Sequence, residues 1–229
     1  LGNDGIPIET RDILIHLLDD GPDFYPDFFT ENALDFITAA ITLSLAACQA
    51  NREDLEYLAP SQFISELANV NYENEEFFPF IMSTASELAQ GNEASVMVAI
   101  QLISWVTESC ADDINDDSDA IIELITHGLS SEAELIAKSA ASLLEEIVIK
   151  APPAIAPHLD DLIGLLVQRT NDNNDFIVTL ERVIAHGDKC YSKLGELLQF
   201  LLGLLGEEGF VYQANAIGCI ANALEKFTG

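Results

Sequence analysis

Basic side chains are what this chain has least of. Its 229 residues include 9 Lys and Arg against 39 Asp and Glu, a net charge of −30. In residues 1–137 the only bases are Arg11 and Arg52, beside 27 acids, while residues 138–229 hold 7 bases and 12 acids. Neutralising phosphates takes clustered Lys and Arg, so no nucleic-acid partner is expected. The same shortage argues against anionic membrane surfaces. Long apolar runs are also missing. The longest, Ile37 to Cys48 and Leu197 to Leu205, fall well short of the ~20 residues a membrane helix needs. Cysteines are few and scattered: Cys48, Cys110, Cys190 and Cys219 form no CxxC pair. That usage suits reduced thiols in a cytoplasmic or nuclear protein. The polar start Leu1-Gly2-Asn3-Asp4-Gly5 does not read as a signal peptide. The lack of an initial Met suits a processed chain or a piece of a longer one. Strand alternation and Asn-Gly or Asp-Gly hairpin signals are lacking. No GxGxxG, P-loop, GxSxG or HExxH occurs, which removes the usual support for nucleotide binding, acyl hydrolysis or zinc chemistry.

What the chain does have is apolar content, 49%, enough for a large core and too much for a disordered acidic tail. The apolar residues fall at helical spacing almost throughout. The clearest unit is residues 117–150. Ser118 is placed to cap a helix carrying Ile121, Ile122, Leu124 and Ile125, and Gly128 to Ser131 turn the chain. Ser131 and Glu134 have capping-box spacing for a second helix with Leu135, Ile136, Ala140, Leu143, Leu144, Ile147 and Val148. The pattern recurs. Pro152 and Pro153 suit a first helical turn, Leu159 to Val167 follow, Thr170 to Asn174 make a polar turn, and Phe176 to Ile184 form the partner, closed by Gly187. Leu194 to Leu205 and Val211 to Leu224 flank Gly206 to Gly209; Phe77 to Leu88 and Ala94 to Val106 flank Gly91-Asn92. Second helices thus begin near Glu93, Glu132, Asn174 and Gly209, at intervals of 39, 42 and 35 residues. Two helices per ~35–45 residues is the period of a helical solenoid. Residues 1–74 are less regular, with short helices at Ile13–Leu18 and Phe63–Leu67, a long one at Phe36–Cys48, and a loop from Asp20 to Pro26.

This helix–turn–helix pattern resembles HEAT and armadillo repeats. The segment Pro157-His158-Leu159-Asp160-Asp161-Leu162-Ile163-Gly164-Leu165-Leu166 is similar to the first helix of a HEAT motif, while the Asp and Arg that often mark that motif's turn are only loosely present, with Asp172 in a turn and no Arg after it. The resemblance implies an all-α chain, an α-α superhelix of HEAT/ARM-like, right-handed solenoid type. It would hold four to five helix pairs in one domain over residues 1–229, with residues 1–74 irregular and 75–229 forming four pairs. It also implies a binding scaffold and not an enzyme. Importin-β-like nuclear transport receptors belong to this class and carry basic cargo, so a fragment of such a receptor is an alternative. Their acidic loop lies inside a repeat, however, whereas the run Asp112 to Asp119 here falls between repeats. An enzyme built on a helical scaffold is the third possibility.

The acidic run Asp112, Asp113, Asp116, Asp117 and Asp119 reads as a solvated loop or a patch for a basic partner. Asp113, Asn115, Asp117 and Asp119 match four positions of a calcium loop, but Ser118 and Leu124 stand where an EF-hand needs Gly and Glu. No metal or cofactor is therefore expected. His16, His127, His158 and His186 are isolated along the chain, and Asp160-Asp161 and Glu145-Glu146 read as solvated helix faces. Trp105 shares a stripe with Val98 and Leu102 and reads as core; Phe24 and Tyr25, between Pro22 and Pro26, read either as exposed contacts or as tucked under the long helix. If second helices line a concave side, Glu93, Met97, Gln101, Ser104 and Glu108 share one face, and Glu134, Lys138, Ser142 and Glu145 another. These are the candidate partner-facing residues. The expected partner is a protein with a basic or extended segment.

Overall fold

The computed structural model describes residues 21–49, 58–116, 118–186 and 192–227. Every regular element among them is helical. The chain divides into two compact units, Leu1–Cys110 and Ala111–Gly229.

The first unit holds α1 (Gly21–Phe24), α2 (Pro26–Glu31), α3 (Ala33–Gln49), α4 (Leu58–Asn71), α5 (Phe77–Ala89) and α6 (Glu93–Val106). Helix α6 packs against α3, α4 and α5. Its sequence explains this: Val96 to Ile100, Leu102, Ile103 and Val106 are all buried, so it is apolar on nearly every side and must be surrounded. Asn92 caps it, its side chain accepting from Ser95 N–H at 3.1 Å. Phe29, Phe36 and Phe63 pack ring against ring and join α2, α3 and α4. Ser65 Oγ donates to the Trp105 carbonyl at 2.8 Å and Ser109 Oγ to Asn69 Oδ1 at 2.5 Å.

The second unit holds α7 (Ala111–Asp116), α8 (Asp119–Leu129), α9 (Glu134–Lys150), α10 (Pro152–Ile155), α11 (Leu159–Asp172), α12 (Ile177–His186), α13 (Leu194–Leu205) and α14 (Gln213–Phe227), with 3-10 turns at Ala156–His158 and Asn174–Phe176. Helices α8/α9, α11/α12 and α13/α14 pack as sequential pairs. Across pairs, α8 meets α11, α9 meets α12, and α12 meets α14. A central second helix therefore needs two apolar sides. Helix α12 supplies them with Ile177, Thr179, Leu180, Val183 and Ile184, all buried. Gly209 makes the last turn at φ +87°, where a side chain would be strained.

Several local expectations are corrected. Of the expected Asp20–Pro26 loop, Gly21–Phe24 is a short helix and Pro26 opens another, with Tyr25 between them; Pro22 and Pro26 each fall in a first turn, where the missing N–H costs nothing. The short helix at Phe63–Leu67 runs from Leu58 to Asn71; the polar residues beyond Leu67 lie on its outer side or, like Asn71, hydrogen-bond within it. The acidic run is not all loop: Asp112, Asp113 and Asp116 lie on α7, anchored by fully buried Ile114, while Asp117 falls outside the described residues. Ser118 stands at the N-cap of α8 but makes no side-chain cap bond. Ser131 does not start α9. Its hydroxyl accepts from Ala133 N–H at 3.1 Å, the helix begins at Glu134, and that carboxylate turns to Lys138 instead of closing a capping box. Helix α11 continues through Thr170, whose buried hydroxyl donates to the Leu166 carbonyl, and breaks only at Asn173. Ile13–Leu18, His16, Gly187 and Cys190 lie outside the described residues.

Candidate interaction surface

The two units use their acidic residues differently. In the second unit acids tie adjacent helix pairs together. Lys138 on α9 bridges Glu134, one turn earlier, at 2.8 Å and Asp175 at 3.0 Å. Asp175 also accepts from the Tyr212 hydroxyl. Lys138, Asp175 and Tyr212 are 37 residues apart in each step, so the tie recurs at a constant interval along the chain. A second row runs beside it. Glu145 accepts from Thr179 at 2.6 Å and pairs with Arg182; Glu181 accepts from Asn215 at 2.7 Å. Arg169 reaches back to the Ser131 carbonyl at 2.6 Å and lies over the Phe176 ring at 5.5 Å. Asn173 donates to Glu134 at 2.8 Å.

The titration behaviour follows from these contacts. The Tyr212 hydroxyl, then Lys138, hold Asp175 below its ordinary value. Glu134 and Asp175 hold Lys138 above its own, and the Asp175 bond raises Tyr212. Burial pushes the Cys219 thiol up to about 12, with Glu181 adding to the effect. On α7, partial burial and the neighbouring Asp112 and Asp116 raise Asp113.

In the first unit no such ties to a cation are seen among the described residues. Its described residues include eleven acids and no Lys or Arg. The densest group is the α4–α5 turn, where Glu73, Glu75 and Glu76 are all exposed beside Tyr72, itself 60% exposed. The turn is well defined. Asn74 N–H donates to the Asn71 carbonyl at 2.8 Å, Phe77 N–H to the Asn74 carbonyl at 2.9 Å, and Glu76 N–H to Asn74 Oδ1 at 3.1 Å. The Tyr72 hydroxyl donates to Glu73 at 3.0 Å, a bond that raises the phenol above its usual value. Three carboxylates beside an aromatic face suit a Lys or Arg side chain. This group escaped the sequence reading, although the run Tyr72-Glu73-Asn74-Glu75-Glu76 between two apolar helices is its signal.

The residues singled out from the sequence fare unevenly. Glu93 and Glu108 are exposed, Gln101 is half-buried, and Met97 is only 5% exposed and belongs to the core of α6. On α9, Ser142 is exposed, but Glu134, Lys138 and Glu145 are engaged with Asn173, Asp175, Thr179 and Arg182. Their shared face thus meets the next helix pair. Trp105 is half-buried and Tyr25 is 69% exposed. His127 and His186 are exposed, and His158 lies 3.7 Å from Asp119. In the second unit a shallow groove is lined by Glu196, Phe200 and Glu207 among others. Among the described residues no three His, Cys, Asp or Glu are grouped to hold a metal, and no helix is long and apolar enough to cross a membrane. Comparison with protein-family models, curated proteins and solved structures finds no match.

Proposed function

We propose that this chain is a HEAT/armadillo-like helical repeat protein that binds, without catalysis, a basic or extended segment of a protein partner. One observation carries the binding reading: the described part of the first unit bears eleven acids and no basic residue. A surface dense in exposed carboxylates attracts cationic groups and steers their approach. The α4–α5 turn is the place where we locate capture. The repeat reading is supported by paired helices whose second members pack on one another, and by hydrogen bonds recurring 34–40 residues apart. Its scattered cysteines fit the cytoplasm or nucleus.

Titration with an unstructured Lys-rich peptide tests the proposal. Binding is expected to weaken as salt rises. Reversing Glu73, Glu75 and Glu76 to Lys is expected to lower affinity by roughly tenfold or more and to flatten the salt dependence. The same number of reversals at the exposed Glu123, Glu132 and Glu225 of the second unit is expected to do less. Equal losses from both sets would sink the assignment to this turn.

A further inference from the structure

The outer side of α14 exposes an apolar row. Glu145 and Glu181 each accept a hydrogen bond from the following helix pair. They are 36 residues apart, and the residue 36 further on is Ile217, which is 57% exposed. The polar row thus ends on an apolar side chain. Ala214, Ile217, Ala221 and Leu224 are all exposed, spaced 3, 4 and 3 residues apart. At 100° per residue they fall within about 80° of the helix circumference, the narrow seam of a coiled coil. The opposite side, Ala216, Cys219 and Ala223, is buried within the unit. Gly218 lies against Glu181, and a Cβ there would strike that carboxylate. No charged residue occurs from Gly209 to Leu224, in a chain that is 21% charged overall.

The seam is complementary to itself. Run antiparallel to a second copy about a two-fold axis at the level of residue 219, it sets Ala214 opposite Leu224 and Ile217 opposite Ala221. Each small side chain then meets a large one from the other copy. Glu225 meets Gln213, so two chains of net charge −30 bring no like charges together along the contact. Such a match under one rotation is what a two-fold, self-complementary interface requires. We propose that α14 is the contact helix of an antiparallel homodimer, formed by the seam Ala214, Ile217, Ala221 and Leu224. One helix face buries less than the ~1,600 Å² of a standard interface. Net repulsion between the acidic chains opposes it, so the dimer is of micromolar strength and tightens as salt screens that repulsion. This inference stands apart from the capture of basic segments by the first unit.

Sedimentation equilibrium of the 229-residue chain, over about 1–200 µM at low and high salt, is the test. The mass is expected to rise from 24.9 kDa towards twice that value with concentration, more readily at high salt. Ile217→Glu is expected to weaken association by roughly a hundredfold, with the thermal midpoint of dilute protein little changed because the residue is exposed. Gln213→Lys reports the register. Residues 213 and 225 of one helix lie about 18 Å apart, so a Lys at 213 reaches Glu225 only across the two-fold axis. It is expected to tighten the dimer several-fold more than Gln199→Lys, which changes net charge equally. A chain that stays monomeric at every concentration overturns the proposal and leaves the seam to a helix of another protein. A dimer indifferent to Ile217→Glu, or equal effects of the two Lys variants, overturns it as well.

Discussion

Among the described residues the first unit ties its helices with rings and neutral hydrogen bonds; the second adds carboxylates held by cations, hydroxyls and amides. Phe29, Phe36 and Phe63 cluster in the first, and its cross-links from Ser65 and Ser109 carry no charge. In the second, Glu134, Glu145, Asp175 and Glu181 each accept from a neighbouring helix pair. An acidic residue is thus a structural tie where a cation, hydroxyl or amide stands opposite, and part of an open field where none does. Net charge alone does not separate these cases.

The largest expected effects are those the two units share. Phe77→Ala in the first is expected to cost about 3–5 kcal/mol, and Leu180→Ala in the second about 2–5 kcal/mol, because both side chains are essentially fully buried. Urea unfolding followed by circular dichroism measures both. Carboxylates should then divide the units. Glu145→Ala strips the acceptor from Thr179 and Arg182 and is expected to cost about 1.5–3 kcal/mol. Glu73→Ala, at an exposed site, is expected to change stability by less than about 0.5 kcal/mol. Equal costs would erase the contrast.

The smallest effects concern pH and have opposite signs within the second unit. Asp175 is held below its ordinary value, so its contribution is complete above about pH 4, the unfolded range. It is lost as pH falls through the lowered folded value. Asp175→Asn is therefore expected to destabilise at neutral pH and to converge on the parent in acid. Asp113 is raised, so it binds its proton more tightly folded than unfolded, and its cost to folding builds as pH rises above about 4 and is complete above the raised value. Asp113→Asn is expected to stabilise slightly at neutral pH, the gain vanishing below about pH 4. Thermal midpoints measured between acid and neutral pH give both curves.

Much of the helical framework was legible in the chain. Leu194–Leu205 was read to the residue, and Asn92 marks its helix start by a cap that is local in sequence. Local signals failed where a distant partner competed. Ser131 and Glu134 have capping-box spacing, yet Lys138 and Asn173 claim the Glu134 carboxylate. Thr170 reads as a turn residue, but its hydroxyl is satisfied inside the helix and the residue is fully buried. Met97 falls on a partner-facing stripe by spacing, but α6 is enclosed by three helices and leaves it no open side. The acids of the α4–α5 turn read as ordinary punctuation in the sequence, and only the structure sets them exposed beside Tyr72.

Helical character, helix spacing and the acidic balance were determined by the sequence alone, since they rest on contacts within a turn or two and on simple counts. Which acids are spent inside the fold was decided only by tertiary structure. Glu145 is spent because Thr179 and Arg182 come to rest against it from 34 and 37 residues away. The physical reason is distance: a hydrogen bond or ion pair acts over a few ångströms of space, and only the packed helices bring such groups that close.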